Sequence, residues 1–486
     1  MAKRGLQGLG ILILGLVIIL LIRTVTWKAP SYERPTPLAT AVPIDGAAAA
    51  QRLSQAIGFQ TVSNQDETQN RWEQWDGLHA WLATTYPKTA ATLTRETVAG
   101  HTLIYTWKGS DPSLAPIILM AHQDVVPIVP ETLAAWKHPP FAGQIVDGVV
   151  WGRGALDDKV SLVGIFEGVE ALLARGFVPK RTVILVSGHD EEAGGKGAKA
   201  AAALLASRGI KPVLVLDEGG IGLTQDPVTG NPLAFIATAE KAYATLKVEA
   251  HAKGGHSSAP PGDTAVLILA RAIDRIASDQ FPLLFTGPGA DTIRALSGKS
   301  PLLLRGVIAN DWLFGPLIAS KAASTPTGAA LLHTTIAPTM LEGSPKENVL
   351  PERATALINY RIHPRDSRAS VMARAQRDVR GLAVTLSWLP SASDPHPPAP
   401  TDTPQWFQLA ALARAAVNAP PIPGLTAGAT DGRSMTLLTP NVYRFSPLMI
   451  TPDELETIHG VNERVSVRNV QRAAEFYARL IATMAG

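Results

Sequence analysis

The chain has 486 residues, 46% apolar and 17% charged, with 44 basic against 41 acidic side chains and a net charge of +3. That composition excludes a disordered chain, and so balanced a charge lacks the basic face a nucleic-acid partner requires. Cysteine is absent, which rules out disulfides, thiolate metal sites, iron–sulfur clusters and cysteine nucleophiles, so any metal must be held by His, Asp and Glu.

A short basic start, Lys3 and Arg4, precedes residues 5–22, which carry no charge and are mostly Leu and Ile. About 20 such residues in a helix span the bilayer's hydrocarbon. Trp27 and Lys28 follow, residue types that favour the membrane–water boundary. The A-x-A triplet at 39–41 lies too far downstream for a signal-peptidase site. The pattern predicts an uncleaved transmembrane anchor over 5–27. Lys3 and Arg4 favour a cytoplasmic amino terminus, which puts the body of a single-pass protein on the non-cytoplasmic side. The proline-bearing stretch 28–43 reads as a linker.

From residue 44 strands alternate with helices. Strands are predicted at 102–107, 117–121, 149–151, 183–187 and 213–216, and helices at 47–57, 75–85, 160–175 and 197–207. Short apolar strands separated by helices of this length predict an α/β sheet covered on both faces, with ligands gathering beyond the strands' carboxyl ends. After residue 241 the texture changes to strands at 244–250, 331–335, 354–362 and 383–389 with helices at 264–278 and 370–379. This reads as an α+β module inserted over 241–390. A Pro-rich exit at 390–404 leads back into the main domain, made of 44–240 and 391–486. Residues 280–330 are too long and apolar for a simple connection and should form helices of their own.

The polar clusters follow the strands. His122 and Asp124, in MAHQDVVP, are two apart on an extended chain and face the same side, where a carboxylate can orient an imidazole towards a metal. In WGRGALDDK, Asp157 and Asp158 are adjacent carboxylates that repel unless a cation intervenes; a helix amino-terminal cap is the other role open to them. In SGHDEEAGGKG, Asp190, Glu191 and Glu192 form either a solvated acidic loop or part of a site. Asp217 ends an apolar strand in VLVLDEGG, and His459 stands in IHGVNERV. Together these residues supply two sites of oxygen and nitrogen donors with a shared carboxylate. Zinc accepts that set, two ions about 3.5–4 Å apart can acidify a water between them, and a further carboxylate can take its proton.

MAHQDVVP, WGRGALDDK, GHDEEAGG, VLDEGG, GGHSSAPP, NVLPERATALINYR, GATDGRS and IHGVNERV resemble, in this order, the motifs of the di-zinc aminoacylase/carboxypeptidase family of metallopeptidases. GHDEE and HGVNE look most like the carboxypeptidase S branch, which includes membrane-anchored N-acyl-amino-acid hydrolases. Ala193 departs from the valine common there. The resemblance covers about 47–485. It implies a zinc-exopeptidase-like catalytic domain with a mixed, mainly parallel sheet and an inserted lid. It also implies two Zn2+ per subunit, with Co2+ or Mn2+ as substitutes. Asp157 then matches the bridging ligand, His122 and Asp217 the other ligands of one zinc, and Glu192 and His459 those of the second. Glu191 matches the general base, and Asp124 the carboxylate supporting His122. The peptide Asp157–Asp158 is implied to be cis. His256 matches the lid histidine that stabilises the oxyanion, often in a partner subunit's site, and a homodimer through the lid is accordingly left open. Asn348 and Arg361 match groups that hold the substrate's carbonyl and carboxylate. Thr430, Asp431 and Arg433 lie in a Gly-rich loop beside the site.

The expected function is hydrolysis of an amide next to a free carboxylate, as a carboxypeptidase of short peptides or as an N-acyl (fatty-acyl) amino acid hydrolase or synthase. Leu302–Leu304, Trp312 and Phe314 either line an apolar acyl pocket or form lid core. An inactive metal-binding scaffold would need a broken catalytic set, and Glu191 and the five ligand positions are intact.

Overall fold

A computed structural model of the chain describes residues 2–226 and 230–486. Lys3 and Arg4, on which the orientation expectation turns, lie outside the described side chains. The chain divides into two compact units: one takes residues to Pro30, Ala239–Pro397 and Leu425–Ala429, and the other takes Ser31–Thr238, Pro398–Gly424 and Thr430–Gly486.

The larger unit is built on an eight-stranded mixed sheet. Its strands run in the order Thr94–Val98, Thr102–Trp107, Val183–Ser187, Ile117–Met120, Leu214–Leu223, Val442–Ile450, Leu233–Glu240, Pro421–Thr426. The middle pairings are parallel, with Ile117 opposite Val183 on one side and Leu214 on the other, and Val442 opposite Val215. Pairings towards the edges are antiparallel. Ile117–Met120 and Val183–Ser187 are buried at every position, as unbroken Val/Ile/Leu runs should be when both sheet faces are covered. The strand Val149–Trp151 belongs instead to a small sheet with Ile145–Val146 and Arg464–Ser466. Asp147 and Gly148, both at positive φ, turn the chain tightly between its first two strands.

Helices Gly46–Ile57, Glu73–Thr85, Lys159–Ala174 and Lys196–Ser207 match the predicted set to within two residues at each end. Lys159–Ala174 is buried over most of its length and packs on the last helix, Val467–Ala485. Their approach needs a glycine: a Cβ at Gly168 would stand 2.8 Å from the Ala478 nitrogen. The proline-bearing tract after residue 30 has no regular structure but is tied down. Trp406 Nε1 donates to Tyr32 O at 2.8 Å, Arg34 lies over the Phe407 ring at 4.2 Å, and Arg479 Nε donates to Ala39 O at 2.7 Å. It is a fastened strap along this unit, where the sequence suggests a linker.

The smaller unit carries a four-stranded antiparallel sheet in the order Thr335–Glu342, Arg353–Ile362, Ala242–His251, Val384–Trp388. Burial alternates along Arg353–Ile362, because successive side chains point to opposite faces. One face packs Leu246, Val248 and Ile358 against Leu269, Ala272 and Ile276 of the helix Ala265–Ser278 and Val371 of Arg368–Asp378. The strand predicted at 331–335 begins where that prediction ends. It is an edge strand, mostly exposed, carrying Pro338, and so lacks the apolar alternation that marks a buried one.

Residues 280–330 do form helices of their own: Pro288–Leu296, Leu302–Ala309, Asp311–Ala322 and Pro326–Ala330. Phe285, Ala290, Ile308, Ile318, Ala319 and Leu332 make a small core with Phe314 packed against it. Leu302–Leu304 and Trp312 are exposed, so they are not part of the lid core. The N-terminal helix, Ala2–Thr26, is long and apolar enough to cross a membrane over Gln7–Thr26.

Candidate functional site

The site lies in the larger unit, at the carboxyl ends of its central strands. His122, just beyond Ile117–Met120, is almost fully buried. Its Nδ1 is 3.0 Å from Asp124 O and 3.4 Å from Asp124 Oδ1, and its Nε2 is 2.8 Å from Asp157 Oδ1. Donation of Nδ1–H to the carbonyl fixes the ring and turns Nε2 towards Asp157. The Asp124 carboxylate is spent on the neighbouring acids. It accepts from the Glu191 N–H at 3.1 Å, the Glu192 N–H at 3.0 Å and the Ser63 hydroxyl at 2.5 Å. It therefore fixes the Glu191–Glu192 backbone as much as the imidazole.

Asp157 lies between two histidines. Its Oδ1 meets His122, and its Oδ2 lies 2.9 Å from His459 Nε2, which is also 2.9 Å from Glu192 Oε1. Burial opposes the charge of Asp157, but the hydrogen bonds from His122 and His459 outweigh it and hold the carboxyl well below the usual range. The same bonds, from Asp157 first and Glu192 next, lift His459 to about 10. The peptide bond Asp157–Asp158 is cis.

The three acids after Val183–Ser187 have separate jobs. Asp190 caps the helix Lys196–Ser207, accepting from the Lys196 N–H at 2.8 Å and the Gly197 N–H at 2.9 Å. Glu191 and Glu192 open a short turn towards the metal-type ligands. Burial pushes Glu191 well up; His122 opposes this, and Asp431, Glu192 and Asp124 add to it. Asp158 stands at the cap position of Lys159–Ala174 but makes no capping bond there.

Asp217, the sequence choice for a ligand, belongs to none of the groups of ligand-type atoms. Its carboxylate accepts from the Gly432 N–H. Its neighbour Glu218 belongs to one of those groups. His122, Asp157 and Glu218 bring one donor atom each within 4.8 Å of one another, as do Asp157, Glu192 and His459, and His122, Glu191 and Glu192. Successive residues of a strand face opposite sides. Val215 points into the core under Met435 and Leu438, whereas Leu214 and Leu216 join the main core. Glu218 shares the parity of Leu216, and Asp217 that of Val215. The motif VLVLDEGG points to Asp217; the grouping of donor atoms points to the adjacent acid, Glu218.

These side chains suit divalent cations. They offer only nitrogen and oxygen donors, and two of the groups share Asp157 through its two oxygens. Burial, then the charges of Asp157, Asp217, Asp158 and Glu191, push Glu218 well above the ordinary carboxylate range. Such crowding is what a bound cation relieves.

A buried ion pair ties the two ligand-bearing loops together. Arg153 donates to Glu463 Oε2 at 2.7 Å and to the His459 carbonyl at 3.1 Å. Glu463 Oε1 in turn accepts from the Leu156 N–H at 2.8 Å and the Asp157 N–H at 3.1 Å. His459 itself sits at φ 60°, a strained setting for a residue with a side chain. Breaking such a pair from one side leaves an uncompensated buried charge, so Glu463→Gln is expected to cost about 3–5 kcal/mol of stability. Urea unfolding checks this, and a midpoint equal to that of the unaltered protein contradicts it.

In the Gly-rich loop, Thr430 Oγ1 receives Arg444 Nε at 3.3 Å, and Arg433 Nη2 donates to Gly194 O at 3.2 Å, beside the Glu191–Glu192 turn. Asp431 is buried with both carboxylate oxygens unpartnered. The remaining sequence candidates lie in the smaller unit. His256 is exposed on a two-residue strand opposite Val349, its Nδ1 2.8 Å from Ser258 Oγ. Asn348 is adjacent, its carbonyl accepting from the Ser257 N–H at 3.2 Å. Arg361 stacks over the Tyr243 ring at 4.9 Å. Nearby Lys241 is pushed down to about 7 by burial, with the charges of Arg361 and Arg365 adding to it.

Fold and ligand-type cluster together define a metallohydrolase of the zinc-exopeptidase fold. The chain belongs to peptidase family M20/M25/M40, whose pattern matches residues 118–483. It is 36% identical over 437 residues to the N-fatty-acyl-amino acid synthase/hydrolase PM20D1 of Xenopus tropicalis, covering 88% of this chain and 84% of that one. It is 31% identical to carboxypeptidase S of Saccharomyces cerevisiae, covering 94% and 87%. The crystal structure of an M20 family metallo-carboxypeptidase from Sulfolobus solfataricus shares the fold at a TM-score of 0.66 and 16% identity, covering 89% of this chain and 99% of that one.

Proposed function

We propose that the chain hydrolyses an amide whose nitrogen belongs to an amino acid with a free carboxylate, using two zinc ions. The observation that carries this reading is Asp157, which offers one oxygen to the His122–Glu218 group and the other to the Glu192–His459 group. His122, Asp157 and Glu218 would hold one ion, and Asp157, Glu192 and His459 the other. When bound, the ions supply Lewis-acid polarisation of the scissile carbonyl and acidify water. Glu191 takes the proton from the attacking water and returns it to the leaving amine nitrogen. Asp124 keeps Glu191 and Glu192 in place through their backbone N–H groups. His256 donates to the developing oxyanion, Arg361 grips the substrate carboxylate with its planar fork, and Asn348 holds the carbonyl. Thr430 and Arg433 shape the wall beside Glu191.

Short peptides are one substrate class, in line with the likeness to carboxypeptidase S. N-fatty-acyl amino acids are the second, favoured by the 36% identity to N-fatty-acyl-amino acid synthase/hydrolases. A panel of dipeptides and N-lauroyl amino acids, run with and without a chelator, tests both. Chelation is expected to abolish turnover and zinc to restore it; turnover indifferent to chelation overturns the metal assignment. Cleavage of dipeptides alone excludes the fatty-acyl reading.

The N-terminal helix fits a single-pass anchor with the catalytic body on the non-cytoplasmic side. The edge strand Thr335–Glu342, with Met340 and Leu341 exposed, suits pairing with a second copy, and a homodimer through the lid is the assembly we favour.

A further inference from the structure

A helix on the surface of a water-soluble protein keeps one apolar stripe for its core and a polar face for solvent. The helices Leu302–Ala309 and Asp311–Ala322 do not. Inward, they give Ile308, Ile318 and Ala319 to the small core that also takes in Trp27. Outward, Leu302 is 62% exposed, Leu303 83%, Trp312 55% and Leu317 60%, and Leu304 and Leu313 are exposed beside them. Both faces are apolar.

The bend between these helices, 115°, is fastened to the end of the N-terminal helix. At the bend, Asn310 Nδ2 donates to Leu20 O at 3.2 Å and to Thr24 Oγ1 at 3.3 Å, and Arg23 Nε donates to Ala309 O at 3.1 Å. Trp27 Nε1 donates to Ser297 Oγ at 3.0 Å. A Cβ at Gly306 would come within 3.1 Å of Thr24, so the two helices touch backbone to side chain. Leu20 lies six residues before the end of the apolar span, about 9 Å at a helical rise of 1.5 Å per residue. The bend therefore sits at the depth where hydrocarbon gives way to headgroups. Charge agrees with that setting. Asp311, the one acid in the two helices, is paired with Arg294 at 2.8 Å, while Lys321 is exposed to meet anionic headgroups.

We propose that this bent helix pair is a second membrane-docking element. It lies in the headgroup–acyl boundary beside the anchor, with Leu302, Leu303, Trp312, Leu313 and Leu317 in lipid. A patch of this kind on a protein free in water is a liability; against a bilayer it is covered. The inference rests on reading the N-terminal helix as an anchor.

Because the chain has no cysteine, single-cysteine variants can carry a probe without further change. The full chain with Leu303→Cys, Leu317→Cys or Ile13→Cys, each labelled with an environment-sensitive fluorophore, is reconstituted into phosphatidylcholine–phosphatidylglycerol vesicles. The probes are challenged with lipid-borne nitroxide and with aqueous iodide. The expected result is a blue shift at all three positions, with quenching by nitroxide and protection from iodide. At 303 and 317, nitroxide placed near the headgroup should quench more than nitroxide placed deep. Iodide quenching at 303 and 317 with position 13 in lipid overturns the docking element and leaves the anchor standing. Iodide quenching at all three overturns both. Protection of 303 and 317 from both quenchers means that protein, such as a second copy of the chain, covers the patch, and this too overturns the proposal.

Discussion

The Glu191→Gln protein is expected to keep its metal and yet to turn over substrate about a hundred- to ten-thousand-fold more slowly, the range general acid–base catalysis supplies. Glutamine preserves the side-chain shape and leaves the backbone bonds to Asp124 intact, so the turn carrying Glu192 should not move. What is lost is an oxygen that can accept a proton from water and surrender it to the amine. Metal content by mass spectrometry and steady-state rates on one peptide and one N-acyl substrate read the two halves of the prediction separately. Retained turnover in a metal-replete sample would assign the proton transfer to another group. Loss of metal would make Glu191 a ligand, a role its grouping with His122 and Glu192 allows.

Exchange at the neighbouring acids on Leu214–Leu223 should give opposite results. Glu218→Gln is expected to lose one of the two ions proposed above and nearly all activity, because a neutral amide oxygen replaces the carboxylate that is the third donor of the His122–Asp157 group. Asp217→Asn is expected to retain both ions, since that carboxylate already serves the Gly432 N–H. Its cost should be confined to the short helix Gly432–Met435, about 1–3 kcal/mol for a weakened buried charged acceptor. The reverse pattern, metal lost with Asp217→Asn and kept with Glu218→Gln, would restore the assignment made from the motif alone.

The contrast between these two residues shows where sequence ceases to suffice. The strands at 102–107, 117–121 and 183–187 are legible because short runs of apolar, β-branched and aromatic residues between turn signals have few other homes. His122, Asp157, Glu192 and His459 could be named because each follows such a strand or stands in an ordered series of motifs. Which of two consecutive acids faces inward is another matter. It is set by the parity of a strand buried on both faces, and an unbroken apolar run carries no parity. Asp190 illustrates the same limit, since its capping bonds to Lys196 and Gly197 depend on how a loop closes. The edge strand Thr335–Glu342 is hard to place from sequence because exposure and Pro338 erase the alternation. Residues 280–330 were legible as helical. Their outward apolar face was not, because composition cannot tell which side of a helix meets solvent when both sides are greasy.

Arg153 and Glu463 sit 310 positions apart in the chain, yet together they lock the loops that carry Asp157 and His459. Translation delivers the first loop long before the second. A polypeptide still short of residue 459 lacks His459 and the clasp at once, so under the reading proposed above it cannot complete the Asp157–Glu192–His459 group. On that reading, hydrolytic competence would arrive only with the last stretch to be synthesised, when Glu463 is threaded back onto Arg153.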